Sequence, residues 1–155
     1  MRALACPASL KGVLDAAAAA AALGEGLRRG GADALELPVA DGGEGTAAAL
    51  HRARGGRWHE AVVVDAFGRE RRARWLELPD ATAVVEAAEA IPLDPSRPDP
   101  LAASSRGLGE LIASVGDCPR LIVCLGGTAT MDAGDGLLEV LHSLPGPTVA
   151  LYDTR

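Results

Sequence analysis

The sequence predicts an α/β protein in two portions: a parallel βαβ portion over residues 1–55, and a mixed α/β subdomain with a β-meander over residues 56–155. Three observations carry this. The chain opens with a short apolar run, an alanine-rich helical stretch and a second apolar run, the order of a βαβ unit on a parallel sheet. Three strand-like runs joined by tight turns follow, which is antiparallel in character. Glycine-rich segments come directly after several strands, where α/β folds place ligand loops.

Each element has a local reason. Residues 1–6 (MRALAC) are an apolar run expected to be a buried strand, and residues 7–12 a loop. Residues 13–29 are expected to be helical, with Leu14, Ala17, Ala21 and Leu27 near one face and strong alanine propensity. Gly30-Gly31 ends that helix. Residues 34–39 read as the second strand and 44–54 as a helix. Residues 57–66, carrying Ala61 and Val62 to Val64, read as a strand. A turn at 67–70, a return strand at 71–78, a turn at Pro79-Asp80 and a strand at 82–86 complete the meander. The subdomain therefore begins near Gly55-Gly56.

Residues 91–100 contain four prolines and read as a loop. Residues 107–115 carry Leu108, Leu111, Ile112 and Val115 at helical spacing. Residues 120–125 (RLIVCL) read as a buried strand. Residues 134–144 are expected to be helical with Leu137, Leu138 and Leu141 on one face, and 148–152 a last strand.

Composition excludes some classes. A 155-residue chain can bury a real core, but aromatics are only 3%, so that core is aliphatic. The net charge of −6 argues against a nucleic-acid surface and a polybasic membrane anchor. The run Ala16 to Ala22 is too short to span a bilayer. Lys11 and Asp15 interrupt any signal-like apolar segment. Three cysteines (Cys6, Cys118, Cys124) without zinc-like spacing fit reduced thiols in a cytoplasmic protein, and Cys6 is expected in the core. Of 15 Lys+Arg residues only Lys11 is lysine, a compact ammonium suited to meeting a phosphate as a point charge.

The densest candidate chemistry is Asp41-Gly42-Gly43-Glu44-Gly45-Thr46. Its glycines let the backbone turn sharply and approach a ligand. The helix start behind it is expected to offer unpaired N–H groups to an anion. Asp41 and Glu44 would repel a bare phosphate and welcome a metal ion, a cation or a polyol hydroxyl. A second candidate is the loop from Gly126 and Gly127 through Thr128, Thr130 and Asp132 to Gly136, a backbone N–H cradle with a carboxylate. A third is Ser9 with Lys11 after the first strand. Ser104 and Ser105 precede a helix, where Ser105 reads locally as an N-cap. Gly43-x-Gly45-x-x-Ala48 matches a relaxed dinucleotide fingerprint, a weak signal that gives an unfavoured oxidoreductase alternative. His51, His59 and His142 show no metal spacing; His51 reads as helix surface and His59 as a strand residue.

In this order the loops resemble the bacterial-type glycerate kinase family. The family's Pro-Asp-Ser-Phe-Lys-Gly is similar to Pro7-Ala8-Ser9-Leu10-Lys11-Gly12, with Ala8 in place of Asp. Val39 to Thr46 (VADGGEGT) matches without change. Asp99-Pro100-Leu101 with Ser104-Ser105 and Gly107, and Gly109-Glu110-Leu111-Ile112, also resemble the family, as does Glu86 after the meander. Gly127 onwards resembles Gly-Gly-Ser-Ala-Thr-Asn-Asp-Gly-Gly, with Thr128, Met131 and Ala133 as departures. The resemblance covers residues 1 to about 144.

It implies ATP-dependent phosphorylation of D-glycerate to a phosphoglycerate, with Mg²⁺, and a cleft between a Rossmann-like domain and a smaller mixed domain. Carried over by position, Ser9 and Lys11 would hold phosphate or the glycerate carboxylate. Asp41 and Glu44 would bind glycerate hydroxyls or metal, and Thr128, Thr130 and Asp132 would line the cleft. Either Asp41 or Asp132 could act as base. Asp153 is a further match, on a later strand. Family members are more than twice as long, so the chain is expected to be an N-terminal portion of that fold: a glycerate kinase, active or inactive alone, one part of a split enzyme, or a non-catalytic small-molecule-binding remnant. The bare sheet edge predicts self-association or a partner chain.

Overall fold

The computed structural model describes residues 1–10 and 13–152. The chain forms two compact units, Met1–Asp41 and Gly42–Arg155. The first holds β1 (Arg2–Ala5), α1 (Ala16–Arg29) and β2 (Asp33–Glu36), with β1 and β2 parallel and Leu4 opposite Leu35. This is the expected βαβ unit. The helix starts at Ala16, later than its apolar pattern suggests, because Asp15 caps it by accepting a hydrogen bond from Ala18 N at 2.7 Å. Val13 N and Leu14 N instead donate to Leu10 O, and Leu10 N to Leu14 O. Gly30 ends α1, and Gly31 takes the left-handed conformation after it. Ala5 is buried, but Cys6 is exposed, which corrects its expected core position: side chains alternate, and Cys6 falls on the same exposed face as Arg2 and Leu4.

The second unit contains α2 (Thr46–Arg54), β3 (Arg57–Val64), β4 (Glu70–Glu77), β5 (Thr82–Glu86), α3 (Ala87–Ala90), α4 (Arg106–Ala113), β6 (Arg120–Cys124), α5 (Asp135–Leu138) and β7 (Thr148–Leu151). Its sheet runs β3-β4-β5-β6-β7. The first three strands are the antiparallel meander, and β5, β6 and β7 are parallel. All five residues of β5 are buried, so it is covered on both faces. Strand alternation divides the core accordingly. Ala83 and Val85 join Leu108, Leu111 and Ile112 of α4 on one face. Val84 joins Ala47, Leu76, Leu78 and Cys124 on the other, beneath α2.

That packing explains why α2 groups with the second unit, although the strand pattern changes only at Gly55-Gly56. Two shorter differences also have local causes. The short helix α3 continues directly from β5, inside an apolar run that hides the change of period. Helix α5 stops at Leu138, not Leu144, because the chain must turn to feed β7. Cys118 N donates to Pro145 O and Leu121 N to Pro147 O, and neither proline can extend a helix. Leu137 and Leu141 still reach the core, whereas Leu138 is 65% exposed. Among the described residues no helix is long and apolar enough to cross a membrane.

Candidate functional site

The parallel strands β5, β6 and β7 end together at Glu86, Cys124 and Leu151. The loop Gly42 to Thr46 rests on those ends, at the carboxyl edge where open parallel sheets bind ligands. The fit requires glycine. Gly42 has φ 86°, and a Cβ there would lie 3.0 Å from Leu151 Cβ. A Cβ on Gly126 would lie 2.7 Å from Gly43 Cα, so the two glycine loops touch backbone to backbone. Thr46 is buried and donates from Oγ1 to Gly43 O at 2.8 Å, closing the turn.

Glu86 fixes this loop from beneath. It is 6% exposed. Its Oε1 accepts from Ala47 N at 2.5 Å and its Oε2 from Gly45 N at 3.2 Å. Burial pushes its carboxyl above the ordinary range, against the lowering effect of those two N–H groups; the carboxylates of Glu89 and Glu44 push it further up. Two N–H groups at the start of α2, those of Gly45 and Ala47, are thus taken by an internal carboxylate, and Thr46 N donates to Gly43 O. Those two N–H groups are not open to an anion, in contrast to the reading of the helix start from sequence alone. No local pattern reveals this contact. The available signal is a lone carboxylate closing an otherwise apolar strand, TAVVE.

The other acid of the loop faces outward. Glu44 is exposed and makes no hydrogen bond or ion pair among the described residues. It stands beside Gly127, where a Cβ would lie 3.9 Å from Glu44 Cβ. Gly127 itself has φ 77°, which turns the second loop.

A second cluster gathers around Asp132. Its Oδ2 accepts from Ser105 N at 2.7 Å, Ser105 Oγ at 2.8 Å and Gly136 N at 3.1 Å. Its Oδ1 accepts from Gly134 N at 3.1 Å. Burial pushes its carboxyl up, but these hydrogen bonds outweigh it and hold the group well below the usual carboxylate range. Ser105 also accepts from Leu137 N at 2.9 Å, so its hydroxyl does not cap α4 as the local pattern suggests; it joins α4 to α5. Thr130 Oγ1 donates to Ala103 O and accepts from Asp132 N. Ser104 Oγ accepts from Arg106 N, and Thr128 bridges to Pro92.

The structure therefore brings Gly42, Gly43, Glu44, Gly45 and Thr46 together with Gly126 and Gly127. Ser104 and Ser105, directly before α4, gather with Thr130 and Asp132 of the second loop in the other cluster. Ser9 is half-buried in the loop after β1, and Asp41 is the last residue of the first unit. Lys11 and Asp153 lie outside the described residues. Among the described residues no group of three or more His, Cys, Asp or Glu is placed to hold a metal ion.

The model of the glycerate kinase family matches residues 3–143. The chain belongs to the glycerate kinase family. It is 41% identical over 151 residues to the glycerate kinase of Bacillus subtilis (strain 168), covering 91% of this chain and 39% of that protein. It is 38% identical over 149 residues to the glycerate 2-kinase of Escherichia coli (strain K12), again covering 91% of this chain and 39% of the relative. The crystal structure of a candidate glycerate kinase 2 from Salmonella typhimurium LT2 superposes with a TM-score of 0.66 at 36% identity. That match covers 90% of this chain and 40% of the other. The chain thus spans about two fifths of the length of the curated relatives it matches.

Proposed function

We propose that this chain takes part in transferring the γ-phosphoryl group of ATP to a hydroxyl of D-glycerate. The observation that carries the reading is the exposed Glu44, without a hydrogen bond or ion pair among the described residues, on a loop where Glu86 already takes the Gly45 and Ala47 N–H groups. Such a loop suits a hydroxylated substrate or a hard cation better than a bare phosphate. Membership of the glycerate kinase family supports the choice of substrate.

The roles follow from what each group has left to offer. Glu44 accepts a hydrogen bond from a glycerate hydroxyl. Lys11, by its place in the sequence, neutralises phosphate or the glycerate carboxylate. Asp132 is a poor base, because its proton affinity is depressed and its lone pairs are taken. It positions Ser105 and the loop from Gly126 onwards. Asp41, by its place in the motif matched to the family, is the candidate for orienting the attacking hydroxyl. Mg²⁺ is compatible with this donor set, since it is commonly held by one or two carboxylates together with substrate phosphates; Asp41 or Glu44 would supply the oxygen. When bound, it neutralises charge on the phosphoryl oxygens.

The test is ADP release by the purified chain with Mg-ATP, with and without D-glycerate, alongside Lys11→Ala. Glycerate-dependent ADP that vanishes in the variant supports the reading. Saturable glycerate binding by folded chain without turnover would instead mark a binding module, or one part of a split enzyme.

A further inference from the structure

The second unit contains a cavity away from the glycine loops, between the β3–β4 turn and the proline-rich segment 91–100. Its volume is about 80 Å³, and Asp65, Phe67, Arg69, Arg71, Asp94 and Arg97 line it. Arg54, Arg57, Arg72, Arg74 and Arg106 of the same unit each form an ion pair. Arg69, Arg71 and Arg97 form none among the described residues, and all three converge here. Arg71 donates from Nε only to Glu89 O, at 2.6 Å. Arg97 stacks its guanidinium 4.0 Å over the Phe67 ring. Its Nη1 is buried and has no hydrogen-bond partner, a costly state for a charged donor.

Neither acid forms an ion pair with these arginines among the described residues, although hydrogen bonds from Ser96, and after them the charges of Arg97 and Arg69, lower the Asp94 carboxyl. Asp65 Oδ1 accepts from Phe67 N and Arg69 N, holding the turn. Asp94 Oδ1 accepts from Ser96 N and Ser96 Oγ, holding its own loop. Three guanidinium groups against two carboxylates leave a net positive cavity. It is far below the roughly 300 Å³ of an ordinary small-molecule site, so neither a nucleotide nor a sugar fits. A single phosphate or carboxylate group matches both its size and the planar donor fork of arginine.

We propose that this cavity binds a small oxyanion, inorganic phosphate or a lone carboxylate group, which accepts the orphaned Arg97 Nη1–H and is flanked by Arg69 and Arg71. Its occupant also braces the segment carrying Arg97. That segment is joined to the second glycine loop, since Leu93 N donates to Gly127 O at 2.8 Å and Met131 N to Pro100 O at 3.4 Å.

The experiment is a titration of the ¹⁵N-labelled chain with sodium phosphate, and separately sodium acetate, against chloride at matched ionic strength. Saturable shifts of the Phe67, Gly68, Ser96 and Arg97 amides are expected. Arg97→Gln, and independently the exposed Arg69→Gln, should each weaken binding roughly tenfold or more. Arg120→Gln, at an unpaired arginine elsewhere, should not. Response to both anions marks a general oxyanion site, and response to phosphate alone a phosphate site; either supports the assignment. Shifts that never saturate, or that are the same in Arg97→Gln and Arg120→Gln, would show a cavity filled by water and overturn it.

Discussion

Replacing Asp132 by asparagine tests what joins α4 to α5. The carboxylate accepts four hydrogen bonds, from Ser105 N, Ser105 Oγ, Gly134 N and Gly136 N. An amide offers one oxygen. If it keeps the three bonds of Oδ2, its NH₂ group meets the Gly134 N–H and that bond is lost. The three that remain lose their charge. One lost bond at about 1 kcal/mol, and about 0.5 kcal/mol for each weakened one, gives about 2–3 kcal/mol. Asp132 is only half-buried, so screening favours the lower end. For a chain of this size the melting temperature falls by roughly 4–9 °C. The pH dependence has a definite sign. The unfolded carboxyl titrates near 3.8 and the folded one below it. The stabilisation is complete above the unfolded value and disappears as pH falls through the folded one. Urea unfolding of both chains at about pH 7 and about pH 3 measures the difference. Equal midpoints near neutrality, or a gap that does not shrink in acid, would refute this account of the cluster.

Other substitutions probe the remaining contacts. Glu86→Ala leaves Gly45 N and Ala47 N without an acceptor and should cost about 2 kcal/mol or more in urea unfolding. Glu86→Gln addresses its titration instead: the native state favours the protonated acid, so wild-type stability falls as pH rises from the ordinary 4.5 through the raised value, and this slope should be missing in the variant. Gly126→Ala sets a Cβ against Gly43 Cα and should lower stability by about 1–3 kcal/mol, with shifted Gly42 and Gly43 amides in an NMR spectrum. Glu44→Gln, at an exposed and unpaired position, should change stability by less than about 0.5 kcal/mol. Isothermal titration should then show D-glycerate binding weakened roughly tenfold, as expected for a lost charged acceptor; unchanged binding would remove Glu44 from the site.

What could be read from the sequence was what repeats locally. The meander, the parallel return of β6 and β7, and the βαβ order all follow from apolar period and turn residues. The meeting of the Gly42 loop with the Gly126 loop is anticipated only through the family resemblance, which implies that both line one cleft. What stayed hidden depends on distant partners. A serine before a helix has the same local signature whether its hydroxyl caps that helix or, like Ser105, turns to Asp132. Glu86 reads as the last residue of a strand, and nothing local says that its carboxylate turns to Gly45 N and Ala47 N. The early stop of α5 comes from the path that the next strand requires, while its own leucines keep a helical spacing.

The contacts that seat the Gly42 loop also bear on how the chain is made. Gly42 lies against Leu151, Gly43 against Gly126, and Gly45 is held by Glu86. Such long-range pairings are slow to form. At roughly 5–20 residues per second of synthesis, the loop emerges on the order of 5–20 s before Leu151 exists. Throughout that interval α2 has no finished sheet to cover, and its apolar face stays open to chaperones or to neighbouring nascent chains. The most motif-rich segment of the protein is therefore among the last to acquire its shape.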